Sequence, residues 1–309
     1  MVRLQVDRCP ACGAGLSALS DQSLVYRQDA AEQPFQLSRC NSCSHRFLSD
    51  PPTLESIGSY YETSAGQLMH DRGSRIFEFL RRKLIALEFE SFVRRIGPNA
   101  RLLDIGAGDG SVCDWFSRQR VNVFATDIYP SSSWHYSTIP YSQADITSPS
   151  ELGSLMSSLS VNSITMRHVL EHFYHPREVF QTFKDSGIQY VSITVPNYHS
   201  RMRRLARNNW CMWDPPRHLQ HFTKNSLIAS ASSAGYACMS LRTYGFDELL
   251  TSIYRYLSLT VNYKNPSNTK LIQYILDLVH HKSPLVAISS AVSYPLLNTV
   301  LSASFALKS

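Results

Sequence analysis

The sequence predicts an α/β protein built on a doubly wound, mostly parallel sheet of seven strands, with a small metal-bound unit at its N-terminus. Three observations predict it. An apolar run carrying an acid, Arg101-Leu-Leu-Asp-Ile105, leads into glycines at alternate positions, Gly106, Gly108 and Gly110, and then into the helix-compatible stretch from Ser111 to Gln119. Strand-like and helix-like segments alternate from there onward, which implies parallel strands joined by helical crossovers. Two Cys-x-x-Cys pairs, Cys9/Cys12 and Cys40/Cys43, stand 27 residues apart near the start.

Composition narrows the class. A chain of 309 residues holds one large domain plus something small. Hydrophobic content of 43% against 17% charged excludes a disordered chain. A net charge of +6 is too mild to argue for nucleic acid by itself. Four of the seven cysteines fall in the two pairs, which suits a reducing compartment and a metal better than a disulfide framework. The first seven residues, Met1 to Asp7, lack the apolar core of a signal peptide, so the expectation is a cytoplasmic protein. The uncharged stretch Leu285–Leu307 is long enough to cross a bilayer. Pro295, Asn298 and five serines interrupt it, so it reads as a helical arm leading to a strand at Ala303–Leu307, with no stable membrane span.

Residues 1–50 form the first unit. Each Cys-x-x-Cys sets two thiolates on one tight turn, and two such turns complete a tetrahedral four-cysteine site suited to zinc. Strand-like patches at Ser23–Tyr26 and Pro34–Leu37 lie between them. The four thiolates of Cys9, Cys12, Cys40 and Cys43 close the shell, so the metal is structural, and His45 is a spare ligand. So small a unit draws much of its folding free energy from the metal. Residues 51–96 follow as a connecting segment, containing Tyr60, Tyr61 and Gly66, and a helix from Ser74 to Ile96. Ile76, Leu80, Leu84 and Leu87 form its expected apolar stripe, and Gly97-Pro98 stops it.

Residues 97–309 form the large domain and its C-terminal helical arm. After Gly110 come a strand at Val121–Thr126, a short one at Tyr141–Asp145, a helix at Pro149–Leu159, and strands at Val161–Met166 and Ile188–Val195. Pro176 opens a helix between the last two, as proline does at a first helical position. A helix from Thr223 to Ala234 stops at Gly235, and a strand runs from Tyr236 to Thr243. In such sheets ligands bind beyond the carboxyl ends of the strands. Asp104, Asp127, Asp145 and the residues after Met166 all fall there.

The glycine turn lets a ligand approach bare backbone, and Asp127 ends the next strand at a distance suited to a ribose hydroxyl pair. Together they indicate a nucleoside-containing cofactor. A dinucleotide turn needs G-x-G-x-x-G, but Ser111 stands where its third glycine belongs, and no Gly-Lys-Ser/Thr follows to make a P-loop. The order Asp104-x-Gly106-x-Gly108-x-Gly110, then Asp127, then Ala144-Asp145, resembles the class I S-adenosylmethionine-dependent methyltransferases over about residues 97–245. The resemblance implies a Rossmann-like fold and S-adenosylmethionine as cofactor. It places Asp104 at the cofactor's amino group, Asp127 at the ribose hydroxyls and Asp145 at the adenine amino group. Gly106, Ala107, Gly108, Gly110, Ile128 and Ile146 would line the same site.

The segment Arg167-His-Val-Leu-Glu-His172, with Pro176 after it, is similar to a stretch of one large methyltransferase subgroup that includes ubiquinone-pathway and sugar methyltransferases. By that likeness Arg167 and His168 border the methionine end of the cofactor, while Glu171 and His172 face the acceptor. His168, His172 and His175 fall within eight residues, yet carboxylate or thiol partners at ligand spacing are not evident, so the segment reads as a source of catalytic imidazole rather than a metal site. A second stretch, Trp210 to Thr223, resembles the insert before the sixth strand of the same subgroup. Trp210 and Trp213 are expected to cover an acceptor's apolar face, with Arg217, His218 and His221 as polar contacts.

Methyl transfer from a sulfonium requires nucleophile and methyl in line. A hydroxyl or enolisable carbon also needs a base of near-neutral pKa; His172 is the first choice, with His168 or His218 next and Glu171 as orienter or base. The four-cysteine unit joined to this domain resembles the bacterial deoxysugar C-methyltransferases, although those carry a further large C-terminal domain. The expected partner is a small-molecule acceptor: a sugar, nucleotide sugar or glycan precursor. Its rival is an RNA base, since some ribosomal RNA guanine methyltransferases also pair a zinc ribbon with this fold, and Arg201–Arg207 is a basic run suited to phosphates. No Asn-Pro-Pro-Tyr motif follows the fourth strand, which disfavours nucleic acid.

Overall fold

The computed structural model describes residues 3–15, 19–25, 34–62, 75–128, 134, 136–244 and 298–308. In chain order its strands are β1 (Leu19–Val25), β2 (Phe35–Cys40), β3 (Arg46–Leu48), β4 (Arg101–Ile105), β5 (Asn122–Asp127), β6 (Tyr141–Gln143), β7 (Ser163–Arg167), β8 (Tyr190–Pro196), β9 (Gln220–His221), β10 (Tyr236–Tyr244) and β11 (Val300–Leu307). The helices are α1 (Leu54–Ile57), α2 (Ser59–Glu62), α3 (Arg75–Ile96), α4 (Ser111–Arg118), α5 (Pro149–Ser158), α6 (Pro176–Asp185), α7 (Arg201–Ala206) and α8 (Lys224–Ser232).

Seven strands form the large sheet in the order β10-β11-β8-β7-β4-β5-β6. From β8 to β6 the pairs are parallel, and β11 lies antiparallel between β8 and β10. Apart from their first residues, β4 and β8 are buried throughout, as expected where helices cover both faces of a parallel sheet. One core layer joins Ile164, Val191, Ile193 and Phe305 to Phe180 and Phe183 of α6 and Leu227 of α8. The other joins Leu102 and Val123 to Trp115 and Phe116 of α4 and to α3.

Local chemistry sets the helix ends. Ser148 caps α5 by accepting from the Glu151 amide, and Pro176 opens α6. Thr223 and Ser226 form a reciprocal capping box on α8, and Gly235 follows that helix at φ +90°. On α3 the buried face is out of phase with the expected stripe: Leu87 is 51% exposed, whereas Ile85, Phe89 and Phe92 are buried. The helix has more apolar residues than one stripe holds. The face that packs is the aromatic one, with Phe89 5.1 Å from the Phe116 ring and Phe92 6.4 Å from it.

The chain fills the sheet outward from β4 through β6, then returns to β7 on the other side of β4. The crevice beyond β4 and β7 is therefore the topological switch point where such sheets bind ligands. The small sheet runs β1-β2-β3-β9, so its last strand comes from the segment before α8. No helix among the described residues is long and apolar enough to cross a membrane. The expected C-terminal helical arm, the first part of the Leu285–Leu307 stretch and Gly66 lie outside the described residues.

Candidate active site

The turn after β4 is tied to the strand beside it. The amides of Gly106 and Ala107 both donate to the Thr126 carbonyl, at 2.8 and 3.1 Å, and Gly106, Gly108 and Gly110 all adopt left-handed φ, at +70°, +53° and +76°. Two of these glycines are also sites of close approach. A Cβ on Gly106 would stand 2.3 Å from Val169 Cγ2, and one on Gly110 would stand 2.7 Å from the Trp134 and Tyr136 rings. At Gly108 a Cβ would meet no atom of the described residues within 4 Å, so the backbone is bare there among them.

Asp127 closes the turn from the end of β5, accepting from the Gly108 amide at 3.0 Å and the Ile128 amide at 2.8 Å. Asp104 lies beneath, 2% exposed, and accepts from the Cys113 thiol at 3.1 Å. Burial pushes its carboxyl up to about 7; the Cys113 contact opposes this, and the neighbouring Asp127 charge adds to it. Asp145 is exposed, and its Oδ1 accepts from the Thr147 amide and hydroxyl in a local turn, while Ile146 is buried. Arg167, at the end of β7, pairs with Glu88 at 3.2 Å, and the other Glu88 oxygen accepts from the Thr194 hydroxyl. An acid on α3 thus fixes the arginine at the crevice.

Beyond β7 the chain turns sharply at His168, whose φ is +56°, and enters a single 3-10 turn, Leu170–His172. Glu171 is wholly buried, and His168 Nδ1 stands 3.4 Å from its Oε1. Burial alone would raise its pKa, but His168, His172 and His218 outweigh it and hold the carboxyl below its ordinary value. His172 Nδ1 lies 2.9 Å from the Arg217 carbonyl, with the Tyr61 hydroxyl 3.2 Å from the same nitrogen. His218 Nδ1 lies 2.9 Å from the Met212 carbonyl. A carbonyl can only accept, so in both rings Nδ1 carries the hydrogen and Nε2 keeps the lone pair. The two rings meet edge to face at 4.8 Å. Burial, then the neighbouring His218, lowers the His172 pKa, which keeps that imidazole neutral.

The insert behaves differently from expectation in one respect. Trp210 and Trp213 are buried with Leu48, Tyr60, Tyr198 and Leu219, so they form the floor beneath the histidines and not a surface over an acceptor. His221 is buried against Trp213, with ring centroids 4.9 Å apart, and faces that floor. His218 and His172 do come together, with Glu171, although 45 residues separate His172 from its Arg217 partner.

The four cysteines converge as predicted from their spacing. All are free thiols, with Cys9 3.6 Å from Cys43, Cys12 3.6 Å from Cys40, and every pair within 4.8 Å. Zinc–sulfur bonds of 2.3 Å put tetrahedral thiolates about 3.8 Å apart, so the set fits a zinc ion. Both knuckles turn alike: Gly13 and Ser44 follow the second cysteine of each pair, at φ +78° and +60°, and donate to the first cysteine's carbonyl. The Cys43 hydrogen bond holds the Cys9 thiol down, at about 5, against the opposing effect of burial. His45 does not serve as a substitute ligand in this arrangement, because both ring nitrogens are engaged elsewhere: Nε2 lies 2.8 Å from Gln220 Oε1 and Nδ1 3.1 Å from the Ser226 hydroxyl, joining the small sheet to α8.

Sequence reasoning missed Glu88, Cys113, Trp134 and Tyr136. Glu88 had a readable signal, an acid lying between Ile85 and Phe89 on what is the buried face of α3. The other three depend on loop and helix placement that spacing does not carry.

A protein-family model described as a methyltransferase domain matches residues 73–241. Among solved structures the chain is similar to a SAM dependent methyltransferase from Archaeoglobus fulgidus, at 17% identity over 74% of this chain and 96% of that one, with a TM-score of 0.46. It is also similar to a cyclopropane-fatty-acyl-phospholipid synthase-like protein from Lactobacillus casei, at 10% identity over 82% and 100% of the two chains, with a TM-score of 0.47. No curated protein matches it.

Proposed function

The chain belongs to the methyltransferase-domain family, and from that premise we propose that it transfers the methyl group of S-adenosylmethionine to a small hydroxylated or keto acceptor, a sugar, nucleotide sugar or glycan precursor. The observation that carries the cofactor assignment is the left-handed glycine turn, bare at Gly108 and flanked by Asp104 and Asp127. Asp127 would exchange its Gly108 contact for the ribose hydroxyls. Asp104 would hold the ammonium group, with Gly106, Ala107 and Gly110 supplying the backbone wall and Ile128, Asp145 and Ile146 the adenine side. Arg167, fixed by Glu88, and His168 would face the methionine carboxylate. The bound cofactor supplies an electrophilic methyl; this chain's residues must align the acceptor and manage its proton. The acceptor is activated at the Glu171–His172–His218 cluster, where the neutral His172 ring is the first candidate to take that proton, with His168 or His218 next. Cys9, Cys12, Cys40 and Cys43 would hold a structural zinc.

The RNA reading has one feature in its favour, the arginines of α7. Arg203 is laid over the Tyr198 ring at 4.2 Å, so the run is less open to phosphates than its spacing suggests. Salt-sensitive binding of structured RNA without turnover of small acceptors would favour it.

Titration calorimetry with S-adenosylmethionine tests the cofactor assignment. Asp127→Ala is expected to weaken binding roughly 10- to 100-fold, the value of one or two charge-assisted hydrogen bonds. Absence of binding to the unsubstituted enzyme at millimolar cofactor would sink the proposal.

Asp104 makes a pH signature. Its carboxyl titrates at about 7 in the free enzyme, so at lower pH it is protonated, and an ammonium group must displace that proton. Affinity is expected to be greatest between about pH 7 and 8, to fall about tenfold per unit below pH 7 towards the ordinary carboxyl range, and to fall again above about pH 8 as the cofactor's own amino group loses its charge. Asp104→Asn should bind more weakly and lose the fall on the acid side. An unchanged pH profile in the variant would remove Asp104 from the cofactor site.

A further inference from the structure

Glu171, His172 and His218 each place one ligand-capable atom within 4.8 Å of the others. Neither carboxylate oxygen of Glu171 has a hydrogen-bond partner among the described residues, although both are buried. His168 Nδ1 approaches Oε1 at 3.4 Å, which eases that oxygen but leaves Oε2 with nothing against it among the described residues. A wholly buried carboxylate with an orphaned oxygen is costly, and proteins ordinarily resolve such a group with further donors, a paired charge or a metal. The two imidazoles are oriented in the way metal ligands are, each with Nδ1 tied to a backbone carbonyl, Arg217 for His172 and Met212 for His218, leaving Nε2 as the donor atom.

We infer that Glu171, His172 and His218 form a second metal site, separate from the four cysteines, for a divalent transition ion of the zinc class whose open position takes the acceptor's hydroxyl or keto oxygen. Two imidazoles and one carboxylate are the donor set of catalytic zinc sites that keep a fourth position open. Bonds of 2.0–2.2 Å bring such donors to about 3.3–3.5 Å apart, so the cluster tightens on binding, which side-chain torsions of Glu171 and the two rings allow. Val169 lies against Gly106 of the glycine turn, which puts the cluster beside the proposed methyl donor.

The inference rests on the methyltransferase reading for the identity of the oxygen, and it refines that reading at one point. With the ion bound, the His172 lone pair is a ligand rather than a base. A hydroxyl bound to the ion would lose its proton to water, and its oxygen would bond to the methyl carbon as the methyl–sulfur bond breaks and the thioether S-adenosylhomocysteine leaves with that electron pair; a keto oxygen on the ion would acidify the adjacent carbon, whose proton would pass to water before the carbon takes the methyl with the same leaving group.

The test uses full-length enzyme, metal analysis by mass spectrometry, and cobalt(II) as a spectroscopic probe after removal of bound metal. Two equivalents per chain are expected, one showing thiolate-to-cobalt charge transfer and one without it. Glu171→Gln, which keeps the side chain's shape, and His218→Ala should each lower the stoichiometry to one, preserve the thiolate signal and leave S-adenosylmethionine affinity unchanged. Removal of the more labile ion by a mild chelator should lower turnover at least tenfold, and adding one equivalent of zinc should restore it. A single equivalent in the unsubstituted enzyme, two in both variants, or turnover indifferent to the second ion would each overturn the inference. Cofactor binding measured in the same samples keeps its failure apart from failure of the methyltransferase reading.

Discussion

His172→Ala is expected to lower kcat by roughly 10²- to 10⁴-fold, the usual worth of a positioned acid–base group and a loss equally expected if its ring holds the inferred ion, while leaving S-adenosylmethionine affinity nearly unchanged. The split follows from geometry. His172 is held by the Arg217 carbonyl and stands among Tyr61, His218 and Glu171. None of these belongs to the glycine turn or to Asp104 and Asp127. Labelled-methyl transfer and cofactor titration on the same preparation measure both quantities. A comparable loss of both would show that the substitution disturbs the turn through Val169 and would remove the assignment of His172 to the acceptor side.

If the four cysteines hold the proposed zinc, stripping that ion, or replacing Cys43 with Ser, should abolish turnover by a different route. Structural zinc sites contribute about 10–16 kcal/mol of binding free energy at neutral pH, comparable to the whole stability of a typical domain, about 5–15 kcal/mol. The small sheet depends on its two knuckles, and its β3 passes order to the acceptor side in two steps. The Leu48 amide donates to the Leu219 carbonyl at 2.9 Å, and the Leu219 amide donates to the Glu171 carbonyl at 2.9 Å. Gln220 reinforces this, bonding His45 through Oε1 and donating to the Phe173 carbonyl through Nε2. The expected result is a biphasic melt with turnover lost in the first transition. Cofactor binding should survive, because the turn rests on β4 and β5. Activity that persists after complete zinc release would refute the link.

The large sheet was legible because its strands announce themselves twice, by apolar runs and by the acids or glycines that end them. Asp104, the three glycines and Asp127 lie within a short span, so strand–turn–helix geometry brings them together with little room for error. The histidine cluster was legible only in halves. Glu171 and His172 share one 3-10 turn, but His218 reaches them through packing of Trp210 and Trp213 on Tyr198 and Leu48, a long-range contact that no local period encodes. The phase of α3 failed for a related reason: when apolar residues occupy more than one face, the partner surface decides which face is buried, and that surface was Trp115 and Phe116.

The reversed strand β11 bears on how this chain reaches its native state. It pairs with β8 on one side, Val300 opposite Pro196, and with β10 on the other, Val300 opposite Tyr244. Strand β10 therefore has no hydrogen bonds to the five parallel strands until β11, distant in sequence from β8, arrives between them. Long loop closures of this kind slow folding, and an unpaired apolar edge invites association between chains in the interval. Refolding should accordingly be slow, with a yield that falls as protein concentration rises, and the step that seals β8 should govern both.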